Sequence, residues 1–330
     1  MALRSWRVHS VASALVLCTV VWWPVAAQRD TFVPARLEEV EIAARTAFNE
    51  SPTVDREGNV YFAENVSDRI LKLSPDGGLT TYREHFRASG CLFDLEGRLI
   101  LLGQETGARP GKPGVFRVDI ATGKTETLAD NYQGKQLEAP NDVTMDGKGT
   151  LYFTDRPSVA VYRIDAPGKI VKILGAPDVQ WPNGIQISPD DKTLYVVETN
   201  QAKGGARRIN AYDLGADGMT SHMRVFYDFY PGRSADGLSI DVQGNIYASA
   251  GLNWPASLRF RPNRAAADET MDTKAGIYII SPQGKLLRFI PVPEDTITNN
   301  AFGGPDMKTL YITAGKTLFK VRTEIAGLPR

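Results

Sequence analysis

Residues 55–62 read DREGNVYF: an acidic turn closing on a glycine, then a short β-branched and aromatic run. The pattern returns as DLEGRLIL from Asp94, MDGKGTLYF from Met145, PDDKTLYV from Pro189, DVQGNIYA from Asp241 and PDMKTLYI from Pro305. With Gly58, Gly97, Gly149, Lys192, Gly244 and Lys308 taken as equivalent, the repeats stand 39, 52, 43, 52 and 64 residues apart. A period of that size built on turns and strands describes propeller blades, so the sequence predicts an all-β, six-bladed β-propeller.

One unit shows how a blade is assembled. Ser51–Val54 leads into the first turn, Asn59–Ala63 and Arg69–Leu73 come next, and Leu79–Arg83 lies after the turn Pro75-Asp76-Gly77. Short runs separated by Gly, Asp and Pro turns are antiparallel strands, four to a blade. The sixth repeat has strands at Thr309–Thr313 and Thr317–Val321, then only a short tail. Arg36–Ile42 is the segment expected to supply the missing strand, closing the ring by pairing the two ends of the chain and leaving no exposed edge.

Arg4 and Arg7, the apolar run Val11–Val21 and the small residues at Ala26-Ala27 form a signal-peptide pattern with cleavage after Ala27. The apolar run is short for a membrane span, so no stable membrane insertion is expected after cleavage and the mature chain is periplasmic or secreted. The remainder of the chain, 28–330, reads as one domain of 303 residues with 36 basic and 38 acidic side chains. That balance points away from nucleic acid as a partner. Cys91 alone remains among the cysteines, which excludes an intrachain disulfide.

Eight or nine residues upstream of each turn, where the strand lining the axis begins, stand Glu50, Ser89, Asn141, Asn183, Asp236, and Asn299 with Asn300. Each carries a side-chain oxygen where a shut axis would carry apolar residues. Glu50, Asn183 and Asp236 together offer two carboxylates and an amide, a donor set suited to a hard divalent cation. Ca²⁺ fits best and Mg²⁺, Mn²⁺ or Zn²⁺ are open alternatives. Asn141 is a fourth metal donor or a substrate contact. Only His85 and His222 survive leader removal, so a His-based zinc site or a Ser-His-Asp triad is poorly supplied. The long insertions 104–114 and 251–274, the second holding Trp254, are expected at the mouth of a site.

FNESPTVDREGNVYFAE, LEAPNDVTMDGKGTLYFTD, WPNGIQISPDDKTLYVVET, SADGLSIDVQGNIYAS and TNNAFGGPDMKTLYITAGKTLFKVR, spanning Phe48 to Arg322, resemble the gluconolactonase, or SMP-30/regucalcin-like, family. The resemblance implies a six-bladed propeller with one axial divalent metal that hydrolyses sugar lactones. It implies Glu50, Asn183 and Asp236 as metal ligands and Asn141 as a contact to the substrate or a metal-bound water. Two residues depart from the family pattern: Ser51 replaces Gly in Glu-Gly-Pro, and Ala139 replaces the Arg two residues before Asn141.

The expected activity is metal-dependent hydrolysis of a lactone or related ester. Asp236 is the candidate base, Asn141 orients substrate, and Ser89 and Trp254 are further substrate contacts. The alternative is a non-catalytic propeller that binds a partner and holds a structural Ca²⁺.

Overall fold

The computed structural model describes residues 39–251, 273–294 and 296–330. Among these, six four-stranded antiparallel sheets succeed one another, each with its first strand innermost. The inner strands are Asn49–Val54, Phe86–Phe93, Pro140–Met145, Pro182–Ile187, Ala235–Ile240 and Ile297–Gly303. Between blades 2 and 3 a small hairpin pairs Asn131–Tyr132 with Lys135–Gln136. The six-bladed propeller expected from the repeat is the observed fold.

Six buried apolar clusters fill the wedges between neighbouring blades. Tyr61 and Ile70 of blade 1 pack with Phe93 and Leu99 of blade 2, and Tyr247 and Ile277 of blade 5 with Phe302 and Ile312 of blade 6. The repeat's tyrosine makes the contact: Tyr61 meets Phe93 edge-on at 5.2 Å and Tyr247 meets Phe302 at 4.8 Å between ring centres.

The repeated turn has one backbone design. In five of the six turns a carboxylate or hydroxyl at the first residue accepts later N–H groups along the chain: Asp146 takes Lys148 and Thr150 at 2.9 Å each, and Asp241 takes Gln243 and Asn245 likewise, whereas the sixth begins at Gly304 and uses Asp306 instead. Gly58, Gly97, Gly149 and Gly244 close the turn at positive φ. In the fourth and sixth repeats the positive-φ position is Asp191 and Met307, not Lys192 and Lys308. The i to i+3 hydrogen bonds, Asp191 N to Ser188 O and Met307 N to Gly304 O, fix that shift.

The ring closes between the chain ends through Glu41–Arg45, which shares only Glu41 and Ile42 with the expected segment Arg36–Ile42, and residues 36–38 lie outside the described residues. Glu41 pairs with Lys320, Ile42 with Phe319, Ala44 with Leu318 and Arg45 with Thr317. Ala44 is the inward residue, packed with Phe62 and Leu318, whereas Ile42 is 48% exposed. The loose alternation of Leu37, Val40 and Ile42 therefore misplaced the strand.

Beyond its last strand the chain crosses the base of the propeller. Val242 N bonds Ala326 O at 3.0 Å, Gly327 N bonds Met307 O at 2.8 Å and Leu328 N bonds Ile240 O at 3.0 Å. The Arg330 guanidinium reaches Met145 O at 2.6 Å, Ser188 O at 2.8 Å and Asp191 Oδ1 at 2.7 Å. Above this tail lies a cavity of about 140 Å³, with Asp142 and Asn299 in its wall.

Candidate metal and active site

Every inner strand breaks its ladder near its start. The irregularities fall between Glu50 and Thr53, Ala88 and Gly90, Pro140 and Val143, Pro182 and Ile185, Ala235 and Leu238, and Ile297 and Asn299. A bulge releases a residue from pairing and re-aims its side chain. Ser89, Asn141, Asn183 and Asp236 occupy these breaks, Glu50 stands at the edge of its own, still paired with Ala63, and in blade 6 the released residue is Thr298. Counting from the turn gave Asn299 because blade 6 is one residue longer there: Ile187 pairs with Leu194, but Phe302 with Leu310. The Thr298 hydroxyl is spent on structure, donating to Asn49 O at 3.0 Å and so joining blade 6 to blade 1.

The residue after each of these positions knits neighbouring blades together. Ser51 Oγ donates to Ser89 O at 2.6 Å, and Asp142 Oδ2 accepts Ile185 N at 3.2 Å. Gly184 and Gly237 permit backbone approaches that no side chain allows: an added Cβ would lie 2.2 Å from Asp236 O and 2.0 Å from Asn299 Cγ respectively. Those two glycines place blade 4 against blade 5 and blade 5 against blade 6.

Asp236 is held on both oxygens. Asn183 Nδ2 donates to its Oδ1 at 2.6 Å and Arg233 Nη2 to its Oδ2 at 2.9 Å. Glu50 is set differently: among the described residues its carboxylate accepts no hydrogen bond. Burial pushes the Glu50 carboxyl well above the usual range, the Asp236 and Asp142 charges push it further, and Arg156 and Arg233 oppose them. Burial likewise raises Asp142 to about 7, against the pull of the Val143 and Ile185 N–H groups at 3.0 and 3.2 Å. Asn299 Nδ2 spans Ser51 Oγ at 3.1 Å and Asp142 Oδ1 at 3.4 Å. It belongs to the layer beneath the mouth, whereas Asn300, on the base side of it, donates to Tyr247 O and Ser249 Oγ.

Among the described residues no three His, Cys, Asp or Glu side chains converge as a metal cluster. The axial set is two carboxylates completed by amides, and it suits a hard divalent cation. Glu50 lacks a donor and is crowded by like charge, and a cation relieves both conditions. The side chain of Asn141 also makes no hydrogen bond among the described residues. Ser89 contributes its carbonyl to Ser51. Trp254 lies outside the described residues.

Three buried acids support this arrangement and were missed in the sequence. Glu64 and Asp155 end the second strands of blades 1 and 3, and Glu198 is the last residue but one of that of blade 4. Glu64 accepts Ala47 N at 2.7 Å; Asp155 accepts Glu138 N at 2.9 Å and Ala139 N at 3.0 Å; Glu198 accepts Trp181 N at 2.7 Å. Each fixes the backbone entering the strand that carries Glu50, Asn141 or Asn183. The repeat held the signal, in the terminal acid of YFAE, YFTD and YVVE.

His85 is exposed, and His222 is an exposed neighbour of Asp213 at 3.2 Å. Cys91 is buried and its thiol pushed up, mainly by burial, so it is a packing residue.

Residues 48–316 match the SMP-30/Gluconolactonase/LRE-like region. The chain belongs to this family. It is 26% identical over 324 residues to a gluconolactonase of Zymomonas mobilis, covering 87% of this chain and 81% of that one. It is 28% identical over 269 residues to a 6-deoxy-6-sulfogluconolactonase of Pseudomonas putida, covering 79% and 80%. The solved gluconolactonase of Xanthomonas campestris superposes with a TM-score of 0.68 at 25% identity, covering 88% of this chain and 97% of that one. Lactone hydrolases thus stand among this chain's relatives.

Proposed function

We propose that this protein is an exported hydrolase of a sugar lactone or related ester, working with one divalent cation held by Glu50, Asn183 and Asp236, and by Asn141 where substrate leaves it free. Ca²⁺ is the cation the donors suit best. The observation that carries the reading is the half-buried Glu50 carboxylate, set beside Asp236 without a hydrogen-bond donor. When bound, the cation supplies Lewis acidity toward a lactone carbonyl and offsets negative charge developing on its oxygen.

The chain's own residues do the rest. Asp236, oriented by Asn183 and Arg233, takes a proton from the attacking water. The water oxygen bonds to the carbonyl carbon, the ring C–O bond breaks, and the ring oxygen leaves as a hydroxyl after protonation. Asn141 orients the carbonyl or the water. Asp142 holds the strand behind Asn141 by its bond to blade 4. Export rests on the leader pattern of residues 1–27, and the N-terminal sequence of protein recovered from the medium or periplasm tests it.

The activity is tested by proton release from aldonolactones and aliphatic lactones on metal-loaded protein, before and after a chelator. Turnover that the chelator abolishes is expected. Turnover indifferent to chelator refutes the metal role, and none on any lactone refutes the hydrolase.

A further inference from the structure

We propose that Arg156 anchors an acidic substituent of the substrate, so that the preferred lactone carries a carboxylate, sulfonate or phosphate remote from its ring carbonyl. The proposal rests on the lactonase reading and narrows its substrate class.

Arg156 directly succeeds Asp155, which pairs with Pro140, so it stands opposite Ala139 beside the strand that bears Asn141. It lines the same cavity as Asn183 and Asp236, as does Arg233. The two guanidinium groups are used differently. Arg233 is committed to the protein, with Asp236 Oδ2 at 2.9 Å, Gly251 O at 3.3 Å and Ile297 O at 3.4 Å. Arg156 has no ion pair or hydrogen bond among the described residues, and its buried Nε is unpartnered. Its guanidinium stands over the ring of Trp181, 5.9 Å away, and its charge acts on the Glu50 carboxyl without a hydrogen bond, so its N–H donors stay open.

A second donor in the same cavity is also unmatched. Ser234 is 2% exposed, and its buried Oγ has no partner. Leaving such groups without acceptors costs stability, which makes each one in a folded protein call for a reason. A cation on the axis does not supply it, because Arg156 is itself positive. An oxyanion does: it accepts the planar fork of an arginine and a hydroxyl together.

The test is steady-state kinetics on the metal-loaded protein with glucono-1,5-lactone, its 6-phospho and 6-sulfo counterparts, and a glucarolactone. The anionic lactones are expected to have roughly tenfold or higher kcat/KM than the neutral one. Arg156→Ala is expected to raise KM for the anionic lactones roughly tenfold more than for the neutral one. Arg156→Lys should recover more for phosphate than for carboxylate, because the fork is lost but the charge remains. A preference for the neutral lactone, or an equal loss on both classes in Arg156→Ala, overturns the proposal. Calorimetry with 6-phosphogluconate separates the two readings. Binding that Arg156→Ala abolishes, without turnover of any lactone, upholds the anchor while the hydrolase fails; no binding to the wild-type protein overturns the anchor.

Discussion

At the mouth of the channel Glu50, Asn141, Arg156 and Ser234 carry polar atoms with no partner among the described residues, whereas the base is saturated. There Thr144 Oγ1 donates to Gln186 Oε1 at 2.8 Å, Ser239 bonds Asn300, and Arg330 bonds three oxygens of blades 3 and 4. The same six strands run through both ends, so sheet geometry is not the cause of the difference. Side-chain chemistry is: amides and hydroxyls at the base pair with each other, while the mouth gathers like-charged carboxylates and donors left over. A satisfied network rigidifies; an unsatisfied one is available to a ligand.

The largest effect that sharpens this contrast is expected from Glu50→Ala or Asp236→Ala. Either should weaken Ca²⁺ binding by at least about a hundredfold, beyond the roughly 10–100-fold typical of groups that merely support a ligand. Calorimetric titration reads it, and unchanged affinity in both variants would place the cation elsewhere.

Gly237→Ala attacks the layer between the two ends. Its Cβ would stand 2.0 Å from Asn299 Cγ, so a loss of about 1–3 kcal/mol is expected in urea unfolding. A wild-type midpoint would mean that blades 5 and 6 are not packed as described. Arg330→Ala, at the base, should cost about 1–2 kcal/mol through its lost hydrogen bonds and leave Ca²⁺ affinity within about twofold. Lost affinity there would erase the contrast.

The smallest effect is in pH. The folded state raises Asp142 from 3.8 to about 7, so between those values it keeps a proton that the unfolded chain releases. Stability of the metal-free protein is therefore expected to fall as pH rises from about 4 to 7, with Glu50 acting in the same direction. Asp142→Asn should flatten that slope. An unaltered profile would show that Asp142 is not the group responsible.

The turns and the tyrosine runs were legible because their signals are local: a capping carboxylate, a positive-φ residue and a β-branched run within a few positions. Glu50, Ser89, Asn141, Asn183 and Asp236 were placed by constant spacing from those turns. Thr298 was missed where the spacing slipped, since one added residue in the sixth turn cannot be told from a longer strand without its pairing partner. Glu64, Asp155 and Glu198 were hidden because each acts on backbone about 17 residues away across a strand pair. Arg156 and Ser234 were illegible for another reason: what marks them is a missing partner, which only the folded arrangement reveals.

The most direct measurement compares kcat/KM on a lactone for Asp236→Asn at the mouth and Arg330→Gln at the base, both Ca²⁺-loaded and both checked for folding. The account predicts a loss of roughly 10²–10⁴-fold in Asp236→Asn, the range of a general base. It predicts turnover within about threefold of wild type, with a lowered unfolding midpoint, in Arg330→Gln. Full activity in Asp236→Asn, or lost turnover in folded Arg330→Gln, would contradict it.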